Sequence, residues 1–174
     1  MGQGDNMESS SNIRPVTASP AEMSEDAKAE FKAFVIAAGE VNKRTLPQLV
    51  KQAVTLVMLY DGHKLIGTAA IKHPYDEHRC GDFAKAKVAT RADMYPLELG
   101  WIVVHPDYRR QGHASTLISE ALGHAGAMQG IYATTKTDRM RALLPEFGFE
   151  KQGEPYPSTL KPAENLTLFG RAPS

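Results

Sequence analysis

Residues 96–127 read PLELGWIVVHPDYRRQGHASTLISEALGHAGA and contain signals for a strand, a turn and a helix in succession. Residues 97–104 are mostly apolar and partly β-branched, and the His105-Pro106 pair that follows them is unfavourable for helix. After Gly112, apolar residues recur at helical spacing, at Leu117, Ile118, Ala121, Leu122 and Ala125. The stretch therefore predicts a buried strand, a short turn and an amphipathic helix.

The turn between this strand and this helix carries two basic residues and a glycine, Arg109, Arg110 and Gly112. The first N–H groups of a helix have no intrahelical partner, and the helix dipole adds positive potential there. Glycine allows a ligand to approach the backbone closely, so the pattern is typical of phosphate binding. The alternative is that both arginines are ordinary surface charges. It is disfavoured because the glycine turn before a helix and the positive charge of the arginines both point to anion binding.

Composition excludes several classes of function. The chain has 174 residues with 20 basic and 20 acidic side chains, so no overall charge attracts nucleic acid or an acidic membrane. It has neither an apolar run of membrane-spanning length nor the pattern of a signal peptide, and we expect a cytoplasmic protein. Cys80 is the single cysteine, and the spacing of His73, His78, Cys80 and Asp82 matches no strong zinc pattern, so no metal is predicted.

The rest of the chain predicts one domain over residues 13–174, after a polar leader, residues 1–12, that we expect to be disordered. The predicted elements up to residue 72 are an edge strand at 13–17, a helix that starts at Ser19-Pro20 or Ser24 and runs to 39, a helix at 45–53, and a hairpin of strands at 54–60 and 64–72. After the central helix we predict a strand at 131–135, a helix capped by Asp138 or Thr137 that Pro145 kinks or shortens, and strands at 149–153 and 166–169. The charged segment 74–95 is predicted to be an insertion with its own hairpin, and 155–162 to be a loop.

This order of elements predicts an α+β domain with a mixed sheet. The chain resembles the GNAT superfamily of acetyl-CoA-dependent N-acyltransferases. The signature of that superfamily is Gln or Arg, two variable residues, Gly, one variable residue, and Gly or Ala, and it corresponds here to Arg109, Gly112 and Ala114. The strand before the motif, the helix after it and the later Gly148-Phe149 pair strengthen the resemblance. It covers residues 64–153 well and residues 1–42 hardly at all.

The resemblance implies a mostly antiparallel central sheet with helices on both faces and a splayed pair of central strands. It implies acetyl-CoA as co-substrate, with pantetheine along the backbone of Ile102, Val103 and Val104. The pyrophosphate would lie on the turn formed by Arg109, Arg110, Gln111, Gly112, His113, Ala114 and Ser115. The implied activity is N-acetyl transfer to an amine on a small molecule or to a protein lysine, and a homodimer would be in keeping with many relatives.

Acetylation requires a neutral amine, but an alkyl amine with a pKa of about 10.4 is mostly protonated at neutral pH. Glu98 lies within the apolar strand, between Leu97 and Leu99. A buried charge at such a position requires a compensating partner, access to water or a functional role. Relatives that use a carboxylate base often carry it at this offset from the motif. We therefore predict Glu98 as the general base, directly or through water; a structural ion pair is the alternative.

The general acid is less well defined by the sequence. Many relatives carry a tyrosine four residues before the Gly-Phe pair, where this chain has Leu144, and an asparagine where it has Thr137. Tyr156 is the candidate acid, with Tyr95 or solvent as alternatives. Since the missing tyrosine could also mean loss of catalysis, a non-catalytic acyl-CoA-binding module that senses acyl-CoA is the alternative function.

Overall fold

The computed structural model describes residues 12–39, 41–126 and 128–174. Its strands are β1 (Ile13–Ala18), β2 (Thr55–Asp61), β3 (Lys64–Lys72), β4 (Leu97–Val104), β5 (Ile131–Thr135), β6 (Glu150–Pro157) and β7 (Asn165–Arg171). Its α-helices are α1 (Glu25–Ala37), α2 (Leu46–Lys51), α3 (Asp76–Lys85), α4 (His113–Ala125) and α5 (Asp138–Leu143). The expected leader lies outside the described residues except for Asn12.

The strands form one sheet in the order β1-β2-β3-β4-β5-β7-β6. All neighbouring pairs are antiparallel except β4 and β5, which run parallel. This confirms the predicted mixed, mostly antiparallel sheet. Gly62 has φ 60° in the turn between β2 and β3, as expected for a tight hairpin.

Helices cover both faces of the sheet because the central strands are apolar on both sides. In β2, Val57 and Leu59 join a core cluster with α4, whereas Leu56 and Met58 join a second cluster with α1 and α2. Successive side chains of a strand point to opposite faces. The first residues of β4 follow the same rule: Leu97 and Leu99 belong to the α4 cluster, so Glu98 points to the opposite face.

Two predictions of secondary structure were wrong. Segment 74–95 does not form a hairpin but α3 followed by a 3-10 helix at Ala89–Met94. Apart from Asp82 and Phe83, the side chains of α3 are at least partly exposed, so the helix shows almost no apolar periodicity in sequence. Residues 155–157, expected in a loop, continue β6, because β6 is an edge strand and an edge tolerates proline.

Two helices begin at side-chain caps. The Ser24 side chain accepts a hydrogen bond from the Ala27 N–H at the start of α1, and Thr137 caps α5 in the same way. Pro145 follows the end of α5 and lies in a 3-10 helix, Leu144–Phe147, as its lack of an N–H leads one to expect. Among the described residues, no helix is long and apolar enough to cross a membrane.

Candidate active site

The parallel strands β4 and β5 separate shortly after they begin. They pair only at Leu97 with Ile131 and at Glu98 with Tyr132. Further along β4, Trp101 has φ 50°, and the register with β3 shifts between Thr68 and Ala70. Beyond Glu98, the edge of β4 nearest β5 therefore faces a gap instead of a neighbouring strand. The splayed central pair predicted by the resemblance is confirmed.

The basic turn lies between the end of β4 and the start of α4. Arg110 and Gly112 have φ 63° and 81°, and α4 begins at His113. Arg109, Arg110 and Gln111 are exposed. The first N–H groups of α4 and the exposed Arg110 side chain thus lie where an anion could bind, whereas the Arg109 Nε donates a hydrogen bond to the carbonyl oxygen of Val104 at 3.4 Å.

A cleft of about 820 Å³ extends from the gap across the face of the sheet that carries α1, α2 and α3. At the gap it is lined by Ile102 and Val103 of β4 and by residues 133–137 of β5 and its following loop. At its other end it is bounded by the segment joining α1 to α2, by α3 and by residues 158–166. The open strand edge and the space beside α3 are therefore parts of one cleft.

Charged side chains converge on Glu98 in this cleft. Glu98 is 4% exposed. Its Oε1 lies 2.8 Å from Nζ of Lys72, the residue opposite it on the neighbouring strand β3. Its Oε2 lies 3.7 Å from Nε2 of His78, and the same Nε2 lies 3.2 Å from Oδ2 of Asp82. The Lys72 ammonium also lies 4.5 Å from the ring centroid of Trp101. We call Lys72, His78, Asp82 and Glu98 the charged cluster.

Local structure explains the convergence. Lys72 and Glu98 face each other because they are register partners in neighbouring strands. His78 and Asp82 are four residues apart on α3 and so lie on the same side of that helix. The helix is fixed to the sheet by Phe83, whose fully buried ring stacks on Tyr95 and meets the Tyr132 ring edge-on.

The charges in the cluster change the proton affinity of its members. Burial alone would raise the pKa of Glu98, but Lys72 and His78 hold it at about 2. Contact with Glu98 raises the pKa of His78 above 6.5, against the effect of burial, and Asp82 acts in the same direction as Glu98. Burial raises the pKa of Asp82. The pKa of the buried Glu98 therefore falls, whereas the pKa values of His78 and Asp82 both rise.

Tyr156, the predicted acid, lies behind the cluster. Its side chain is buried, and its hydroxyl donates a hydrogen bond to Oδ1 of Asp82 at 3.1 Å. It does not line the cleft, whereas Leu144, at the place where relatives carry tyrosine, does. Tyr156 is thus connected to Glu98 through Asp82 and then His78, and its role as acid stays a prediction.

Sequence reasoning selected Glu98 but missed Lys72 as its partner, and it considered His78 and Asp82 only as zinc ligands. The available signal was the i, i+4 spacing of His78 and Asp82, which places them together if segment 74–95 is helical. Because that segment was expected to be a hairpin, the signal could not be used.

The sequence profile described as the Acetyltransferase (GNAT) family matches residues 21–149. The chain belongs to the GNAT family of acetyltransferases. The match begins well before residue 64, so the expectation that residues 1–42 hardly resemble the family was wrong for residues 21–42. A comparison with curated proteins gives no significant match.

Solved structures confirm the GNAT fold. ElaA from Escherichia coli is similar at 16% identity and a TM-score of 0.65, with 91% of this chain and 99% of that chain covered. An acyl-CoA N-acyltransferase from Pseudomonas aeruginosa is similar at 15% identity and a TM-score of 0.66, covering 92% and 99%. The ribosomal-protein-S18-alanine N-acetyltransferase of Escherichia coli gives 16% identity, a TM-score of 0.62, and coverage of 92% and 95%. The family match places this chain among the GNAT acyltransferases.

Proposed function

We propose that this GNAT chain transfers an acetyl group from acetyl-CoA to a primary amine by direct attack of the amine. The observation that carries the proposal is that one cleft connects the open edge of β4 with the charged cluster. A donor held at the strand edge and an acceptor held beside α3 would meet within this cleft. Proximity of the two reactants is itself a large part of catalysis.

The donor end fits a coenzyme A thioester. Backbone groups of Ile102, Val103 and Val104 lie on the strand that borders the gap, where an extended amide-containing chain can pair with them. The turn from Arg109 to Ser115 offers N–H groups and positive charge to the pyrophosphate. When bound, acetyl-CoA supplies an acetyl group activated as a thioester.

Direct attack is favoured over a covalent acyl-enzyme. The single cysteine, Cys80, is exposed on α3 and is not among the side chains that line the cleft. A nucleophilic cysteine would have to reach the thioester carbonyl and be activated by a neighbouring base or cation. We therefore propose that the amine nitrogen attacks the acetyl carbon directly, without an acyl-enzyme intermediate.

Glu98 remains part of the proposed acid–base machinery. Since Glu98 is buried and paired with Lys72, we propose that it acts through an intervening group and does not touch the amine itself. For Tyr156 we propose a role through Asp82, to which its hydroxyl is bonded. The departing thiolate can take its proton from solvent, because the ordinary pKa of a thiol is only about 8.5.

The acceptor class is an amine on a small molecule or a lysine of a protein. Tyr75 and Leu160 line the cleft and expose apolar side chains, which favours an amine attached to an apolar stem. The test is thiol release from acetyl-CoA across a panel of amines that includes polar diamines, apolar alkyl amines and lysine peptides. Turnover with at least one amine is the expected result; none with any amine would refute the proposal.

A non-catalytic acyl-CoA-binding module is the second candidate, because Leu144 supplies no hydroxyl to the cleft. Calorimetry distinguishes the two functions. Binding of acetyl-CoA without acetylation of any amine would favour the module, whereas binding with turnover favours the enzyme.

A further inference from the structure

His78 is the member of the charged cluster that a ligand in the cleft can reach most easily. Its side chain is 56% exposed, whereas that of Glu98 is 6% exposed and that of Asp82 is 9% exposed. The imidazole lines the same cleft as the open edge of β4. An amine entering beside α3 would therefore meet His78 before it meets either carboxylate.

Glu98 itself is a weak proton acceptor. Each of its carboxylate oxygens lies within 4 Å of a nitrogen that can carry positive charge, on Lys72 or on His78. A carboxyl group with a pKa of about 2 is roughly 10⁴-fold less basic than an imidazole with the ordinary pKa of 6.5. Deprotonation of an ammonium by Glu98 directly would be correspondingly less favourable.

The geometry of His78 suits a general base. Its Nε2 faces the two carboxylates, at 3.2 Å from Asp82 and 3.7 Å from Glu98. A carboxylate beside one ring nitrogen favours the tautomer that carries the proton on that nitrogen. In the neutral ring the lone pair then lies on Nδ1, and the imidazolium formed after proton transfer is stabilised by both negative charges.

The carboxylates are themselves held in place. Tyr156 donates a hydrogen bond to Oδ1 of Asp82, which leaves Oδ2 directed at His78. Glu98 is fixed by β4 and by its pairing with Lys72. The ring is thus oriented by groups from three strands and from its own helix.

We propose that His78 removes the proton from the acceptor amine, with Glu98 and Asp82 as positioning residues. This inference rests on the proposed acetyl transfer. Nδ1 of His78 takes one proton from the ammonium group, and the freed nitrogen lone pair forms the C–N bond to the acetyl carbon as the C–S bond breaks. The electron pair of that bond leaves on the sulfur, which takes a proton from solvent to end as the thiol, while the new amide nitrogen releases its second proton to solvent. His78 then releases its proton to solvent.

The proposal predicts a pH dependence with a definite sign. The groups that face His78 are Asp82 on α3, Glu98 on β4 and Lys72 on β3; the first two favour the charged ring and Lys72 opposes it. Because only neutral His78 can accept a proton, kcat/KM should rise with pH through a pKa above 6.5. Asp82→Asn should move this rise to lower pH, since it removes a negative charge that stabilises the imidazolium.

The kinetic test compares His78→Gln with a matched control, His63→Gln, which alters an exposed histidine in the turn between β2 and β3. With acetyl-CoA and an amine from the panel that turns over, we expect His78→Gln to lower kcat about 100-fold or more. The control should retain the parent rate, and the Kd of acetyl-CoA should be unchanged in both. Free imidazole should restore part of the activity of His78→Ala, which a purely structural role would not allow.

A kcat of His78→Gln within threefold of the parent would overturn the proposal, as would a pH profile that Asp82→Asn leaves in place. Activity that a chelator abolishes and zinc restores would also overturn it, because the imidazole would then hold a metal instead of a proton.

A second measurement does not depend on finding the amine. Nitrogen-15 NMR of the histidine rings, with His78 assigned from the His78→Gln spectrum, reports tautomer and pKa directly. We expect a proton on Nε2, a pKa above 6.5 and a lower pKa in Asp82→Asn. A proton on Nδ1, or an unshifted pKa, would overturn the role of His78 even where turnover supports the proposed function. Conversely, if the NMR result is as expected but no amine is acetylated, the proposed acetyl transfer is refuted and the assignment of the His78 tautomer and pKa is not.

Discussion

Replacement of Lys72 by methionine tests how the charged cluster is stabilised. Lys72 is 13% exposed in its side chain, and its ammonium lies 2.8 Å from Glu98 and 4.5 Å from the centroid of the Trp101 ring. Methionine keeps an unbranched apolar chain of similar length but removes the positive charge. Lys72→Met therefore leaves the carboxylate of Glu98 buried with only His78 as a cationic neighbour.

The expected decrease in unfolding free energy follows from the pKa of Glu98. A shift from 4.5 to about 2 corresponds to about 3 kcal/mol of unfolding free energy at neutral pH, at 1.36 kcal/mol per pKa unit. Since the pKa is lowered in the folded chain, this stability is complete above pH 4.5 and is lost as the pH falls through 2. Lys72 and His78 share the effect, so we expect Lys72→Met to cost about 2 to 3 kcal/mol at pH 7.

The assay is urea unfolding of the parent chain and of Lys72→Met at pH 7 and at pH 3. We expect the difference in unfolding free energy to fall to roughly half at pH 3, where unfolded Glu98 is already protonated. The double variant Lys72→Met/Glu98→Gln should regain most of the loss at pH 7, because no unpaired charge remains. An equal loss at both pH values would refute the reasoning and would assign the effect to packing on Trp101.

Three further predictions concern positions outside the acid–base residues. Tyr132→Phe should leave the thermal unfolding temperature unchanged or raise it, because the buried hydroxyl makes no hydrogen bond to any described residue. Gly153→Ala should lower the unfolding free energy by about 2 kcal/mol or more in urea melts, since φ is +64° and a Cβ would lie 2.0 Å from the carbonyl oxygen of Ala86. Arg110→Ala should weaken acetyl-CoA binding about 10-fold by calorimetry while Arg14→Ala does not; equal affinities would argue against the basic turn as the phosphate site.

The central part of the fold could be predicted because its signals are local. The apolar strand at 97–104, the turn with Gly112 and the periodic helix after it are each specified by adjacent residues. The hairpin at Gly62 and the helix caps at Ser24 and Thr137 are equally local. The structure reproduces all of these elements.

The errors arose where a neighbouring element decides the structure. Helix α3 contributes one apolar residue, Phe83, to the core, and its position depends on the aromatic rings it meets on β5 and before β4. Strand β6 contains Pro155 and Pro157, which read as loop signals unless it is known to be an edge strand. In both cases tertiary contacts override the local pattern.

The candidate site was only half visible in sequence for the same reason. Glu98 stood out as a charge within an apolar strand, and that observation needs no partner. Its neighbours Lys72 and His78 are 26 and 20 positions earlier in the chain, and only the register of β3 with β4 and the packing of α3 bring them together. Such contacts follow from topology, which periodicity does not encode.

Because β4 separates from β5, the concentration of acyl-CoA should also affect the stability of the folded chain. An acyl-CoA that pairs with the open edge of β4 binds the folded state alone, since the unfolded chain has no such edge. By mass action, donor at 100 times its Kd would add about 2.7 kcal/mol to the unfolding free energy. We therefore expect resistance to proteolysis to rise and fall with the acyl-CoA concentration, so that a shortage of donor shortens the lifetime of the enzyme as well as slowing its reaction.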